Sequence, residues 1–224
     1  MTIPSLKVVV AVTSKTALAP LGDSFVLVSS ALVAQAFARA LGERHPILVA
    51  MPHELSVQVG EMLMEAGIDY QPIICDPNDP TALAQEIKSQ LTNYEFVAVH
   101  DSNRPLTQIG QFHATLEALI SNADAARAST PFTETLKAIS DDRFIKHTID
   151  RTTVRRVSSP EIVRTSAIDF KEKSNEVNSG WFLPLREKIA ISYVDSDPES
   201  IRVNSNDELS LLASFLHWQK TVAR

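Results

Sequence analysis

Four short apolar runs alternate along the first half of this chain with four segments of helical spacing. The runs are Lys7–Val12, His45–Met51, Tyr70–Cys75 and Phe96–His100. The segments that follow them are Phe25–Leu41, His53–Ala66, Thr81–Leu91 and Gln108–Ile120. This alternation constrains the fold more than any other feature. A strand that must reach a parallel neighbour needs a crossover, and an amphipathic helix is the usual one. Lys7–Val12 is rich in β-branched residues, as expected of a buried strand. Gly42 and Gly67 follow two of the helical segments and suit C-terminal caps. The pattern predicts an α/β fold, a mostly parallel sheet with helices on both faces.

The rhythm changes after Asp124. Ala125–Thr130 reads as a strand. Leu136–Ile139 and Phe144–Ile149 flank Asp141-Asp142 and read as a β-hairpin with polar faces. Such a hairpin is marginal alone, so it must lie on this subunit or on a second copy. Lys188–Val194 and Ser200–Val203 read as strands. Ser205-Asn206-Asp207-Glu208 resembles a capping box before a helix over Leu209–Val222. We expect one domain over 1–224, with an arm at 136–150.

At 224 residues and 44% hydrophobic, the chain can bury one sizeable core. Its formal charge is −6 and no Lys/Arg cluster forms a patch, which argues against nucleic acid and anionic membranes as partners. Cys75 is the single cysteine and lies in an apolar run, where a buried thiol is expected. The first residues lack the basic start and long apolar run of a signal peptide, and no 18-residue apolar stretch occurs. The expected location is cytoplasmic. The six histidines have no metal-ligand spacing, so zinc is not supported. Trp181 and Trp218 suit a core or interface better than base stacking.

The fourth run ends in Val99-His100-Asp101-Ser102-Asn103-Arg104-Pro105. It places a carboxylate at the carboxyl edge of the sheet, where open α/β folds bind ligands. No glycine precedes Gly22, so the first strand is not followed by a glycine loop that could cradle phosphate. Lys7 and Lys15 are the only cations in the first 38 residues.

From Val97 onward the chain resembles the 2-C-methyl-D-erythritol 4-phosphate cytidylyltransferases of isoprenoid precursor synthesis. The family's V-H-D-A-A-R-P stands here as Val99–Pro105. Its P-x-x-D-T-x-K stands as Pro131-Phe132-Thr133-Glu134-Thr135-Leu136-Lys137, and its T-x-D-R as Thr148-Ile149-Asp150-Arg151. Its T-P-Q becomes Ser159-Pro160-Glu161, and its N-I-K-[VI]-T-x-P-E-D-L becomes Ser200–Leu209. The resemblance implies a three-layer, Rossmann-like (GT-A-like) nucleotidyltransferase domain whose hairpin arm is exchanged in a homodimer.

The first strand departs from the family. Thr13–Gly22 keeps the P-L-G turn but lacks the glycines and arginine of A-A-G-x-G-x-R-M, and the loop is shorter. Lys15 takes the place of the family lysine, one residue further from the proline. The family's G-G-x-x-R-x-x-S-V appears as Cys75–Leu83, without its glycines, arginine or serine.

Cytidylyl transfer to a sugar-alcohol phosphate needs a neutralised triphosphate, Mg²⁺ and an in-line phosphate oxygen. By resemblance, Lys15 and Arg151 are the catalytic candidates. Thr135, Arg151, Arg202 and Arg104 would bind substrate, and Asp101 and Glu199 would hold Mg²⁺. Read from residue type alone, Asp101 caps a turn, Glu199 is a solvated acid, Arg104 braces the turn, and Asp150-Arg151 is a surface ion pair. The missing glycines point to a degenerate homologue with impaired CTP binding, serving as a binding or regulatory protein for a phosphorylated small molecule or a protein partner. The alternative is an active CTP-dependent cytidylyltransferase with a remodelled loop.

Overall fold

The computed structural model describes residues 4–171 and 180–222. Its centre is a seven-stranded sheet in the order β11-β7-β10-β6-β1-β4-β5. The strands are β1 (Leu6–Ala11), β4 (Ile47–Met51), β5 (Tyr70–Ile74), β6 (Phe96–Asp101), β7 (Ala125–Pro131), β10 (Arg155–Arg164) and β11 (Ile191–Asp195). β6, β1, β4 and β5 run parallel, and β10 is antiparallel to both β6 and β7.

The expected alternation is present. Helices α1 (Val26–Ala40), α2 (Ser56–Glu65), α3 (Pro80–Ile87) and α4 (Ile109–Asn122) connect the strands. Every residue of β1 is buried. Val8 and Val10 face a core built with Leu27, Phe37 and Phe112, while Val9 and Ala11 face one built with Leu83 and Ile87. Helices therefore cover both sides of the sheet, and the strand reads as an unbroken apolar run. Gly42 and Gly67 have φ of +77° and +67°, the left-handed conformation of helix C-caps.

The chain fills β1, β4 and β5 outward on one side, then returns to place β6 against the other edge of β1. The segments after β1 and β6 thus diverge at a topological switch point, where such sheets form ligand crevices. Two small strands, β2 (Pro20–Leu21) and β3 (Ser24–Phe25), pair between β1 and α1, so Phe25, expected to begin the helical segment, ends a strand instead. The arm is a separate two-stranded sheet of β8 (Leu136–Ile139) and β9 (Ile145–Ile149). Helix α5 (Asn206–Val222) closes the chain, with Leu212 packed against Leu21, Val26 and Val203.

Two expectations need correction. Ser200–Val203 is not a strand. Its backbone bonds go elsewhere: the Val203 N–H donates to the Asn103 carbonyl at 2.8 Å, and the Asn103 side-chain Nδ2 donates to the Val203 carbonyl at 2.7 Å. Between β7 and β6 the sheet holds β10, which sequence periodicity does not reveal. β10 is polar, contains Pro160, and its register with β7 shifts between Val157 and Glu161, so alternation is broken. The strand expected from Lys188 begins only at Ile191, since Lys188 has φ of +57°. The capping residues at α5 behave nearly as expected. Ser205 Oγ accepts the Glu208 N–H, and the Glu208 carboxylate accepts the N–H of Asn204.

Candidate ligand cleft at the carboxyl edge of the sheet

Asp101 ends β6 and is buried. Its Oδ1 accepts from Thr13 Oγ1 at 3.1 Å and from the Asn103 N–H at 3.0 Å. Its Oδ2 accepts from Arg202 Nε at 2.7 Å, and Arg104 Nε lies 3.8 Å from the same oxygen. The structure therefore brings three predicted residues together: Asp101, Arg104 and Arg202. The Asn103 bond shows that the turn-capping reading of Asp101 also holds. The other predicted residues lie elsewhere.

Arg202 spreads its fork over three segments. Besides Asp101, it donates to Thr13 Oγ1 at 2.9 Å and to the Asn204 side chain. Asn103 completes the tie by donating to Ser14 Oγ at 2.9 Å. The loop after β1 is thus fastened to the end of β6 and to the segment before α5.

Arg104 is a bracket. Its guanidinium donates to the carbonyls of Ser200 at 2.6 Å and Val157 at 3.3 Å. Burial, with Arg202, Arg156 and Arg127 nearby, pulls its pKa down to about 10 although Asp101 opposes this. Glu199 is half-buried on the preceding loop, where it adds to the burial that raises the Asp197 carboxyl.

Lys15 is exposed at the start of a short 3₁₀ turn. It borders two adjoining cavities of about 530 Å³ each, at the carboxyl ends of β1, β4 and β5. Glu54 borders both, and Asp76 and His53 line the first. The second loop builds its own turn. Asp76 accepts the Asn78 N–H at 2.9 Å, and Asp79 caps α3 by accepting from Thr81 and Ala82. Asp79 thereby takes helix-start N–H groups that a phosphate would otherwise use. Cys75 is inert: burial, then Glu86, Asp76 and Asp79, push its thiol up to about 11.

Thr135 and Arg151 lie at the root of the arm, both exposed. Arg151 donates to the Thr133 carbonyl, and Asp150 accepts from Thr152, so each of the two has a partner other than its neighbour. No bond among the described residues joins them to the Asp101 cluster.

Sequence reasoning missed Thr13 and Ser159. Ser159 Oγ sits 2.8 Å from His100 Nδ1 and accepts the Asp101 N–H at 2.9 Å. Both are hydroxyl residues whose contacts join positions far apart in the chain; Ser159 stands in the counterpart of T-P-Q, but that match alone does not point to His100 or Asp101.

The family model for 2-C-methyl-D-erythritol 4-phosphate cytidylyltransferase matches residues 80–181. The resemblance is to that family. The enzyme of that name from Endomicrobium trichonymphae is 27% identical over 126 residues, 54% of this chain and 57% of the relative. The chloroplastic one from Oryza sativa subsp. japonica is 28% identical over 132 residues, 55% of this chain and 43% of the relative. The matches thus span about half the length of these curated relatives. The 4-diphosphocytidyl-2C-methyl-D-erythritol synthase structure from Anaerococcus prevotii superimposes with a TM-score of 0.77 at 16% identity, covering 96% of this chain and 99% of that one. The 2-C-methyl-D-erythritol 4-phosphate cytidylyltransferase structure from Thermus thermophilus gives 0.67 at 18%, covering 95% and 99%. The fold is theirs, a mostly parallel α/β sheet. No helix among the described residues is long and apolar enough to cross a membrane.

The residues at Asp101 do not fit the Mg²⁺ such a reaction would use. Three hydrogen bonds occupy the carboxylate, and two guanidinium groups stand beside Oδ2. Among the described residues no group of three or more His, Cys, Asp or Glu stands together as a metal site.

Proposed function

We propose that this protein is a cytidylyltransferase-like binding protein with impaired CTP use, which takes a phosphorylated small molecule and works in a homodimer through its arm. The observation that carries this reading is the commitment of Asp101. A carboxylate that would hold Mg²⁺ instead anchors Arg202, Thr13 and Asn103. The cleft supports the same reading. Lys15 faces Glu54 and Asp76 there, so one cation meets two acids where a triphosphate would add about four negative charges. Thr13 and Ser14 also project side chains where close backbone approach to phosphate needs glycine.

The alternative is an active CTP-dependent cytidylyltransferase. The accessible ammonium of Lys15 beside a sizeable cavity at the carboxyl edge favours it. Calorimetric titration with CTP and Mg²⁺ separates the two. We expect a dissociation constant weaker than about 100 µM, near −5.5 kcal/mol. A tighter one restores the enzyme.

A further inference from the structure

A further cavity opens at the amino edge of the sheet, at the ends of β4 and β5 opposite to the Lys15 cavities. Its volume is about 260 Å³. Gln35 and Arg39 of α1 line it, with Glu43, Arg44 and His45 of the connection to β4 and Asp69 just before β5. Backbone bonds fix its walls. The N–H groups of Gly42 and Glu43 cap α1 by donating to the Arg39 and Ala38 carbonyls at 2.9 and 3.0 Å, and the Ile47 N–H donates to the Asp69 carbonyl at 3.2 Å. Drug-sized ligands take pockets of about 300–1,000 Å³, so this one suits a smaller occupant.

Gln35 is the informative residue. It is 6% exposed, and its amide Nε2 is buried without a hydrogen-bond partner. Buried amides are normally bonded, so an orphan donor in a cavity wall calls for an acceptor. The charges around it are unmatched as well. Among the described residues no ion pair joins Arg39 or Arg44 to Glu43 or Asp69, and neither guanidinium makes a side-chain hydrogen bond. Glu43 is committed, accepting the His45 N–H at 2.7 Å and bonding Tyr94. Lys7, whose charge acts on both acids, gives its ammonium to the Pro46 carbonyl at 2.9 Å. The Asp69 carboxylate accepts no hydrogen bond among the described residues. Donors of Gln35, Arg39 and Arg44 and the acceptor Asp69 thus border one cavity without satisfying one another.

We propose that this cavity binds a free α-amino acid, a small zwitterion that brings an acceptor for the one set and a donor for the other. Its carboxylate accepts from the Gln35 amide and from a guanidinium fork, a planar match with charge-assisted bonds. Its ammonium, with three donors, turns to Asp69. A plain anion would meet Asp69 and a plain cation would meet two arginines, so neither is favoured as the zwitterion is. The inference uses no residue of the Asp101 cluster or the Lys15 cavities and stands apart from whether CTP is bound.

The test is saturation-transfer NMR on the full chain with the twenty L-α-amino acids, one at a time, and with acetate and methylamine, which carry one charge each. At least one amino acid should bind with a dissociation constant below about 1 mM, and acetate and methylamine about tenfold more weakly or worse. Gln35→Met keeps the volume of the side chain and removes the orphan donor, so it should fold at least as well as wild type and bind that amino acid about tenfold more weakly. Asp69→Asn, on an exposed side chain, should do the same. Absence of binding by every amino acid at about 5 mM overturns the proposal. So does acetate binding as tightly as the amino acid, which would make this an anion site. Amino-acid binding that survives both Gln35→Met and Asp69→Asn overturns it too, by placing the ligand elsewhere. CTP affinity enters none of these outcomes.

Discussion

Glu161 and Arg127 are register partners across the antiparallel pair β10/β7, with Arg127 NH2 3.5 Å from Glu161 Oε2. Both are buried, and the pair holds the chain around Trp181. Arg127 lies over the Trp181 ring at 4.6 Å and donates to the Gly180 carbonyl, while Glu161 accepts the Phe182 N–H at 2.7 Å. Glu161 stands where the resembled family carries the glutamine of T-P-Q.

Burial raises the Glu161 pKa to about 7, although Arg127 and two backbone N–H groups pull the other way. A raised carboxyl binds its proton more tightly in the folded state. Its contribution is therefore present below the ordinary pKa of 4.5 and is lost as pH rises through about 7. The span corresponds to roughly 3 kcal/mol. Denaturation of wild type and Glu161→Gln at intervals from pH 4.5 to 7.5 should show the wild type losing ground steadily against the variant. Parallel profiles would mean that Glu161 is charged throughout.

His100 works in the opposite direction. It is fully buried against Phe112, and burial lowers its pKa to about 4 from 6.5. The neutral ring is what the fold accepts, so stability is present above pH 6.5 and lost as pH falls through about 4. The two slopes are of similar size and nearly coincide. Wild-type stability should therefore change little between pH 4.5 and 6.5 on their account. His100→Asn should unmask the falling Glu161 slope, and Glu161→Gln the rising His100 slope. Two single variants with flat profiles would refute the coupling.

The parallel half of the fold was legible because β1, β4 and β6 are covered on both faces, which turns topology into composition. Val8 and Val9 point to opposite cores yet must both be apolar. β10 escaped because its Ser158–Glu161 stretch is buried through hydroxyl and carboxyl contacts instead of apolar ones. At the site, Asp101 was legible as a strand-end acid. Its company was not, since Thr13 and Arg202 lie 88 and 101 residues away in sequence. Residue type alone assigns a carboxylate to metal or to arginine equally well, and only the distance to Arg202 discriminates.

The arm offers a further test. Ile139, Phe144 and Ile145 are 63–73% exposed on β8, β9 and their connection. The two-stranded sheet carries no core cluster of its own among the described residues. Such a hairpin gains stability only when something covers it. A variant lacking residues 138–146 should sediment as a monomer if the arm is the dimer contact, while its circular dichroism stays close to wild type. A dimer that survives the deletion places the interface elsewhere.

Arg151 and Thr135 sit at the base of that arm and, within one chain, make no bond to the Asp101 cluster. If a second copy presents its arm to the cleft, Arg151 becomes part of the phosphate site only in the dimer. Arg151→Ala should then remove roughly 1.5–3 kcal/mol of phosphate binding, the usual worth of a hydrogen bond to a charged group. Arg151→Lys should recover part of it, since an ammonium cannot reproduce the fork. Phosphate affinity should rise with protein concentration across the dimerisation range, and the arm-deleted monomer should be indifferent to Arg151→Ala. Each outcome can be read by phosphorus NMR against sedimentation of the same samples. Phosphate affinity that ignores both Arg151 and protein concentration would confine Arg151 to its bond with the Thr133 carbonyl, a strut of the arm root, with no part in holding the anion.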